Sequence, residues 1–331
     1  MEGKMQWKVV VTDYNYPDLT IEENELAQWG AQVIPAQCRT AEEVLAVAWD
    51  AHALISQYAP ITRDVILGLT RCRVIGRYGI GVDNIDVSTA TERGIAVVNV
   101  PSYCEEEVSD HVMAFLLAWA RRVVHYTEEI RKGVWDWKTG CPMHRLQGQT
   151  LGLLGFGKIA RLVARKAKAF GIRVIAHDPY LPDEIFAAEG VERVDWETLL
   201  RESDFLSLHV PLTPETRHLI DEDALDKMKS TACLINTARG GIVDKDALFH
   251  ALQSGRIAGA CLDVSEPEPP NPGDPLLTLP QVLWSPHVAW YSEDSLVELR
   301  KKVARDVGRA LNGFLPAGLV NRSLAERFRS P

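Results

Sequence analysis

Apolar residues along this chain fall into two alternating patterns. Some form short unbroken runs, and others return every three or four positions. Runs bounded by Gly, Pro or Asp predict buried strands, and the spaced stretches predict helices. Strands are expected at 9–11, 31–35, 53–55, 74–76 and 95–99, with helices at 21–29, 41–48 and 62–69 between them. Past Pro101 a single long helix is expected at 105–122, with Val108, Val112, Phe115, Leu116, Trp119 and Val123 on its apolar face. A second alternation begins near 150, with strands at 151–155, 173–177, 205–210, 232–236, 258–263 and 282–285. A last amphipathic helix at 293–311 carries Leu296, Leu299, Val303 and Val307, and is expected to return to the first sheet. Strands alternating with helices predict the α/β class: two doubly wound parallel sheets, each covered by helices on both faces.

Composition narrows the class without changing it. The 331 residues allow two ordinary domains, and a net charge of −9 argues against nucleic acid as a partner. The N-terminus has no signal-peptide core, and the apolar stretch at 112–120 is too short to span a bilayer, so no membrane partner is expected. Cys38, Cys72, Cys104, Cys141, Cys233 and Cys261 form no CxxC pair. They read as buried free thiols in a reducing cytoplasm, with no disulfide and no metal site.

The candidate chemistry starts at Gly155-Phe156-Gly157-Lys158-Ile159-Ala160. An apolar run passes through these glycines into a helix with Ile159, Leu162, Val163, Ala167 and Phe170 on one face and Gly171 at its end. Strand, tight turn and helix N-terminus together make a seat for a pyrophosphate. Ala160 stands at a position that only has to be small. The next strand ends at Asp178, about twenty residues on, where a carboxylate binds a ribose diol and repels a 2′-phosphate. The expected cofactor is NAD rather than NADP.

Three further residues follow strands of the same sheet: Arg239 after 234–238, Glu268 after 258–264, and His287 after 282–286. Parallel strands bring these ends to one edge. An Arg fork suits a carboxylate and a developing alkoxide, and a His oriented by a carboxylate suits proton transfer. Taken singly, each is an ordinary surface or structural residue. His177, His209, His218 and His250 read as loop or sheet-packing residues. Arg77-Tyr78-Gly79-Ile80-Gly81 follows a strand of the first sheet, where open α/β sheets bind ligands.

These motifs, with Asn236-Thr237-Ala238-Arg239-Gly240-Gly241, Leu262-Asp263-Val264-Ser265-Glu266-Pro267-Glu268 and Ser285-Pro286-His287, resemble the D-isomer-specific 2-hydroxyacid dehydrogenases. Val288-Ala289-Trp290-Tyr291 looks like that family's C-terminal-binding-protein branch. The resemblance implies a discontinuous flavodoxin-like substrate domain (1–100 and 291–331) with an inserted NAD-binding Rossmann domain (101–290). It implies a cytoplasmic homodimer with the helix near 105–122 at its interface, acting on a small 2-oxo or 2-hydroxy acid.

It also implies roles: Arg239 on the substrate carboxylate and carbonyl, His287 as acid and base, and Glu268 paired with His287. Arg77 and the backbone of Ile80 and Gly81 would hold the carboxylate, with Trp290 against an apolar or thioether-bearing side chain. The cofactor would be lined by Gly155, Phe156, Gly157, Lys158 and Ile159, by Asp178, Pro179 and Tyr180, and by Val210, Pro211 and Thr216. Thr237, Ala238, Arg239, Asp263, His287 and Ala289 would complete that lining. A second reading is an NAD(H)-sensing, co-repressor-like binding protein with weak dehydrogenase activity.

Overall fold

The computed structural model describes residues 7–329. Residues 1–6 of the N-terminal stretch read as lacking a signal-peptide core, and residues 330–331 of the expected substrate domain, lie outside them. The chain divides into two compact units, 1–103 with 292–331, and 104–291.

In the first unit, β1 (Trp7–Val11), β2 (Ala31–Pro35), β3 (Ala53–Ser56), β4 (Val74–Arg77) and β5 (Ala96–Val98) form a parallel sheet in the order β2-β1-β3-β4-β5. This is the flavodoxin-like order. Val9, Val10, Leu54, Ile75 and Val97 are fully buried, as continuous apolar runs covered on both faces require. A short helix, Val87–Glu92, precedes β5 and is absent from the sequence expectation; Asp86 caps it through Thr89.

The helix Glu293–Leu311 packs on β3, β4 and β5 and on the helix Thr20–Ala27. Its buried stripe runs through Leu299, Val303 and Val307. Ser292 caps it with a reciprocal bond to Ser295. Gly76 of β4 makes room for it, since a Cβ there would lie 2.8 Å from Val307 and 3.0 Å from Val303. Between the two helices, Arg300 donates to both oxygens of fully buried Glu22 at 2.8 and 2.6 Å, and Tyr78 Oη donates to the same carboxylate at 2.9 Å. Buried Asp13 gathers the loops after β1 and β3, accepting from Gln57 N at 3.0 Å and Tyr58 N at 2.5 Å.

In the second unit, β6 (Thr150–Leu154), β7 (Arg173–His177), β8 (Glu192–Arg193), β9 (Phe205–Leu208), β10 (Cys233–Asn236), β11 (Gly259–Leu262) and β12 (Val282–Trp284) are all parallel, ordered β12-β11-β10-β9-β6-β7-β8. Counted from the glycine turn this is 3-2-1-4-5-6, the dinucleotide-binding order, with one more edge strand. The sequence reading omits β8, whose two residues are both charged and exposed, so no apolar run marks it.

The expected single helix over 105–122 is two. Glu105–Ala120 ends at Arg122, which is left-handed (φ 53°), and a second helix, Val123–Arg131, departs from it. Val123 is therefore 54% exposed rather than on the buried stripe. The buried side of the helix Lys158–Ala169 is Ala160, Val163, Ala164 and Ala167. Phe170, expected on that face, is 45% exposed because the helix has ended before it. Four cysteines are buried and Cys72 is half-buried, but Cys141 is exposed, contrary to the expectation of buried thiols throughout; all six are free.

Gly76→Ala forces a methyl into the helix packed on β4 and is expected to cost about 1–3 kcal/mol by overpacking. Urea unfolding checks this, and an unchanged midpoint would refute the close approach at Gly76.

Candidate active site

The site is assembled in the second unit, at the carboxyl edge of its sheet. Asn236, Leu262 and Trp284 stand in register across β10, β11 and β12. The loops after them therefore leave the sheet side by side.

After β10, Asn236 closes a tight turn by donating to Arg239 O (2.8 Å) and accepting from Ala238 N (3.0 Å). Arg239 is half-buried and donates to Ala238 O at 2.7 Å. Gly240 follows because the backbone of Ser265 and Glu266 lies against it; a Cβ would come within 2.2 Å of Ser265 O. That contact seats the Arg239 turn against the loop carrying Glu268. Glu266 ties the same loop to Arg217 at 2.9 Å and to His218 at 3.4 Å. Burial raises the Glu266 pKa, but the bonds to Arg217 and His218 outweigh it and leave the carboxyl below its ordinary value.

After β12 the chain turns sharply at His287, a non-glycine residue with φ of 53°. Its ring Nδ1 meets Glu268 Oε1 at 2.5 Å. This fixes the ring's direction and leaves Nε2 to face a reacting atom. Trp290 folds back over the turn, its indole N–H donating to His287 O at 2.9 Å.

Asp263 and Ala289, expected at the cofactor, are turned inward. The Asp263 side chain is fully buried and accepts from Ser285 Oγ (2.5 Å), Val288 N (2.9 Å) and Ala289 N (3.0 Å). Its own carbonyl accepts from His287 N at 2.8 Å. A charged group taken out of water needs such donors, and here they are the backbone of the histidine turn. His111 adds Nε2 to Ser285 Oγ at 2.9 Å. The sequence reading left His111 and the Ser285 hydroxyl without a role, because a polar residue inside an apolar helical stripe gives no spacing signal.

The dinucleotide seat lies at the switch point between β6 and β9. Gly155 adopts φ of 84°, and a Cβ there would lie 2.8 Å from His209 O. At Gly157, which caps the helix Lys158–Ala169, a Cβ would meet nothing within 4 Å. No side chain of Gly157 caps the first N–H groups of that helix, and a small residue there leaves room for an entering phosphate. Phe156 contributes its N–H, not its ring: the ring is buried and stacked 4.8 Å from Phe186, and the N–H donates to Asp178 Oδ2 at 2.9 Å. Tyr180 N holds the other oxygen at 3.0 Å, so the carboxylate is fixed beside the glycine turn.

Lys158 is exposed and lies 3.6 Å from Glu105, Ile159 is half-buried, and Pro179 and Tyr180 are exposed at the rim. Val210 packs behind Gly155. Thr216 spends its hydroxyl on closing its own loop, donating to Pro211 O at 2.6 Å. The Thr237 hydroxyl is buried and finds no partner among the described residues, which a bound group at the end of β10 would supply. Open glycine, fixed carboxylate and orphaned hydroxyl together fit a dinucleotide.

Arg77, Ile80 and Gly81 belong to the first unit, beyond β4. Arg77 lies over Gly79 (φ 138°) and donates to Tyr78 O at 2.6 Å, while Asn99 holds Ile80 O at 2.6 Å. Among the described residues no cluster of three or more metal-ligating side chains occurs, and no helix is long and apolar enough to cross a membrane.

A glycine turn at the switch point of a 3-2-1-4-5-6 sheet, with a paired histidine and an arginine at neighbouring strand ends, defines a dinucleotide-dependent oxidoreductase fold. Residues 113–289 match the family described as D-isomer specific 2-hydroxyacid dehydrogenase, NAD binding domain. The chain belongs to that family.

It is 42% identical over 311 residues to a glyoxylate reductase of Korarchaeum cryptofilum, covering 92% of each chain. It is 41% identical over 316 residues to a D-3-phosphoglycerate dehydrogenase of Methanocaldococcus jannaschii, covering 95% of this chain but only 59% of that longer protein. Among solved structures, the D-lactate dehydrogenase of Aquifex aeolicus, complexed with NAD and lactic acid, matches with a TM-score of 0.84 at 28% identity, covering 92% of this chain and 96% of that one.

His209, behind the glycine turn, gives a pH prediction. Burial of its imidazole against Ser207 lowers its pKa from 6.5 to about 4. Between those values the unfolded chain binds the extra proton, so stability falls as pH falls through that window. Thermal midpoints should therefore drop more steeply from pH 6.5 to 4 in the wild type than in His209→Asn. Parallel curves would rule out a neutral, buried His209.

Proposed function

We propose that this chain is an NAD-dependent oxidoreductase interconverting a small 2-oxo acid and its D-2-hydroxy acid. The carrying observation is the His287–Glu268 pair set beside the Arg239 turn at the end of the dinucleotide-binding sheet. The nicotinamide supplies the hydride when bound. The chain supplies the rest. His287 holds a proton at Nε2 for the carbonyl oxygen, and Glu268 keeps the ring aimed. Arg239 offers a planar fork to the carboxylate and stabilises charge growing on the oxygen. Asp178 selects NAD by accepting a ribose hydroxyl and repelling a 2′-phosphate.

Relatives named as reductases and dehydrogenases favour turnover over a binding-protein role. Trp290 directly after the histidine turn supports a place near the C-terminal-binding-protein branch. Free, mostly buried thiols support a reducing cytoplasmic setting.

The test is NADH oxidation with a panel running from glyoxylate, pyruvate and hydroxypyruvate to branched, phenyl and methylthio oxo acids. At least one member should turn over. In His287→Asn its kcat should fall by about 10²–10⁴-fold while NADH still binds. Full turnover in that variant, or none by the wild type on any acid, would end this reading.

The homodimer belongs to the same proposal. Val123, Val124, Ile130, Trp135 and Trp137 are exposed on one stretch of the second unit, with Trp135 88% and Trp137 69% exposed. Such an apolar surface is typical of an interface. Light scattering should give twice the chain mass for the wild type and the monomer mass for a Trp135→Glu/Trp137→Glu variant. A monomeric wild type would refute it.

A further inference from the structure

Beneath the histidine turn, three side chains form a directed chain of hydrogen bonds. Ser285 Oγ lies 2.5 Å from Asp263 Oδ1 and 2.9 Å from His111 Nε2. A hydroxyl has one proton, and the carboxylate, which only accepts, must receive it. The Ser285 oxygen is then the acceptor for His111, so Nε2 of His111 carries the hydrogen. Desolvation lowers the His111 pKa more than the Asp263 charge raises it, so the ring is neutral near neutral pH.

The chain ends on Asp263, whose two oxygens also hold the N–H groups of Val288 and Ala289, while its carbonyl holds the N–H of His287. His287 has φ of 53°, a strained conformation for a residue with a Cβ. A strained turn persists only where its surroundings over-determine it. Here the carboxylate does so, and its remaining bond comes through Ser285 from a different element, the helix Glu105–Ala120. The His111 ring is seated there by an edge-on contact with Phe115 at 4.6 Å.

We propose that His111 is a positioning residue for the reaction. Acting through Ser285, it fixes the Asp263 carboxylate and with it the backbone turn that aims His287. This rests on the reading of His287 as the acid and base.

The experiment pairs His111→Phe, which keeps an aromatic ring but has no donor, with His111→Gln, which keeps an N–H at similar reach. With the best oxo acid, kcat of His111→Phe should fall about tenfold or more, since small misplacement of a catalytic group is costly. NADH affinity, read by fluorescence, should stay within about twofold, and His111→Gln should recover most of the kcat; a change this local leaves cofactor binding alone. A His111→Phe protein with wild-type kcat overturns the proposal, as does a loss that His111→Gln does not repair.

Nitrogen-15 NMR of the histidine rings decides independently of turnover. The wild type should show His111 as the Nε2–H tautomer, and His287 ring signals should move in both His111→Phe and Ser285→Ala. An Nδ1–H tautomer at His111, or unmoved His287 signals, overturns the proposal even if no substrate is found. Absence of wild-type turnover with the expected NMR result overturns only the functional reading.

Discussion

Every strand of the second sheet runs in the same direction, and this constraint builds the site. Parallel pairing in register puts Asn236, Leu262 and Trp284 abreast. Whatever follows those residues must emerge on one edge, beside the glycine turn after β6. Arg239, Glu268 and His287 are separated in sequence, yet no long-range fold detail is needed to bring their loops together. The chemistry is then a matter of how each loop is held.

Buried carboxylates do the holding. Asp263 organises the turn bearing His287, Asp13 gathers the loops over the first sheet, and Glu22 joins Arg300 to Tyr78. Asp13 and Glu22 take their donors from more than one segment, and Asp263 takes its donors from the Ser285–Ala289 turn. A carboxylate is suited to this because it accepts several bonds at once, and removing it would leave those donors unsatisfied. The loops at both sheet edges are thus fixed by acid side chains that do not themselves face solvent.

Much of this was legible in the chain. Continuous apolar runs gave eleven strands close to their observed limits, because strands buried on both faces carry that pattern. The terminal helix was read at its observed bounds, since Leu299, Val303 and Val307 keep strict helical spacing. The break at Arg122 was not legible: Val123 continues the apolar spacing across it, and nothing in a left-handed arginine marks a stop. Nor was β8, made of Glu192 and Arg193 alone. At the site, Arg239, Glu268 and His287 could be named from their places after strands. Whether a polar side chain faces the crevice or the core could not be read that way. Asp263 turned inward, Thr216 spends its hydroxyl on its own loop, and His111 acts from a helix whose spacing looked purely structural.

The discontinuity of the first unit shapes how the protein comes into being. Its sheet is finished by Val98, but the helix that covers β4 begins only at Glu293. All of 104–291 must be synthesised in between. At about 5–20 residues per second a ribosome leaves that sheet face bare for roughly ten to forty seconds. Through that interval Ile55 and Gly76 await a cover that does not yet exist, and Glu22 is an acid without its arginine. The second unit, contiguous in sequence, has no such wait. The chain therefore folds in two stages, the second unit from one contiguous stretch and the first only once the helix Glu293–Leu311 has followed it.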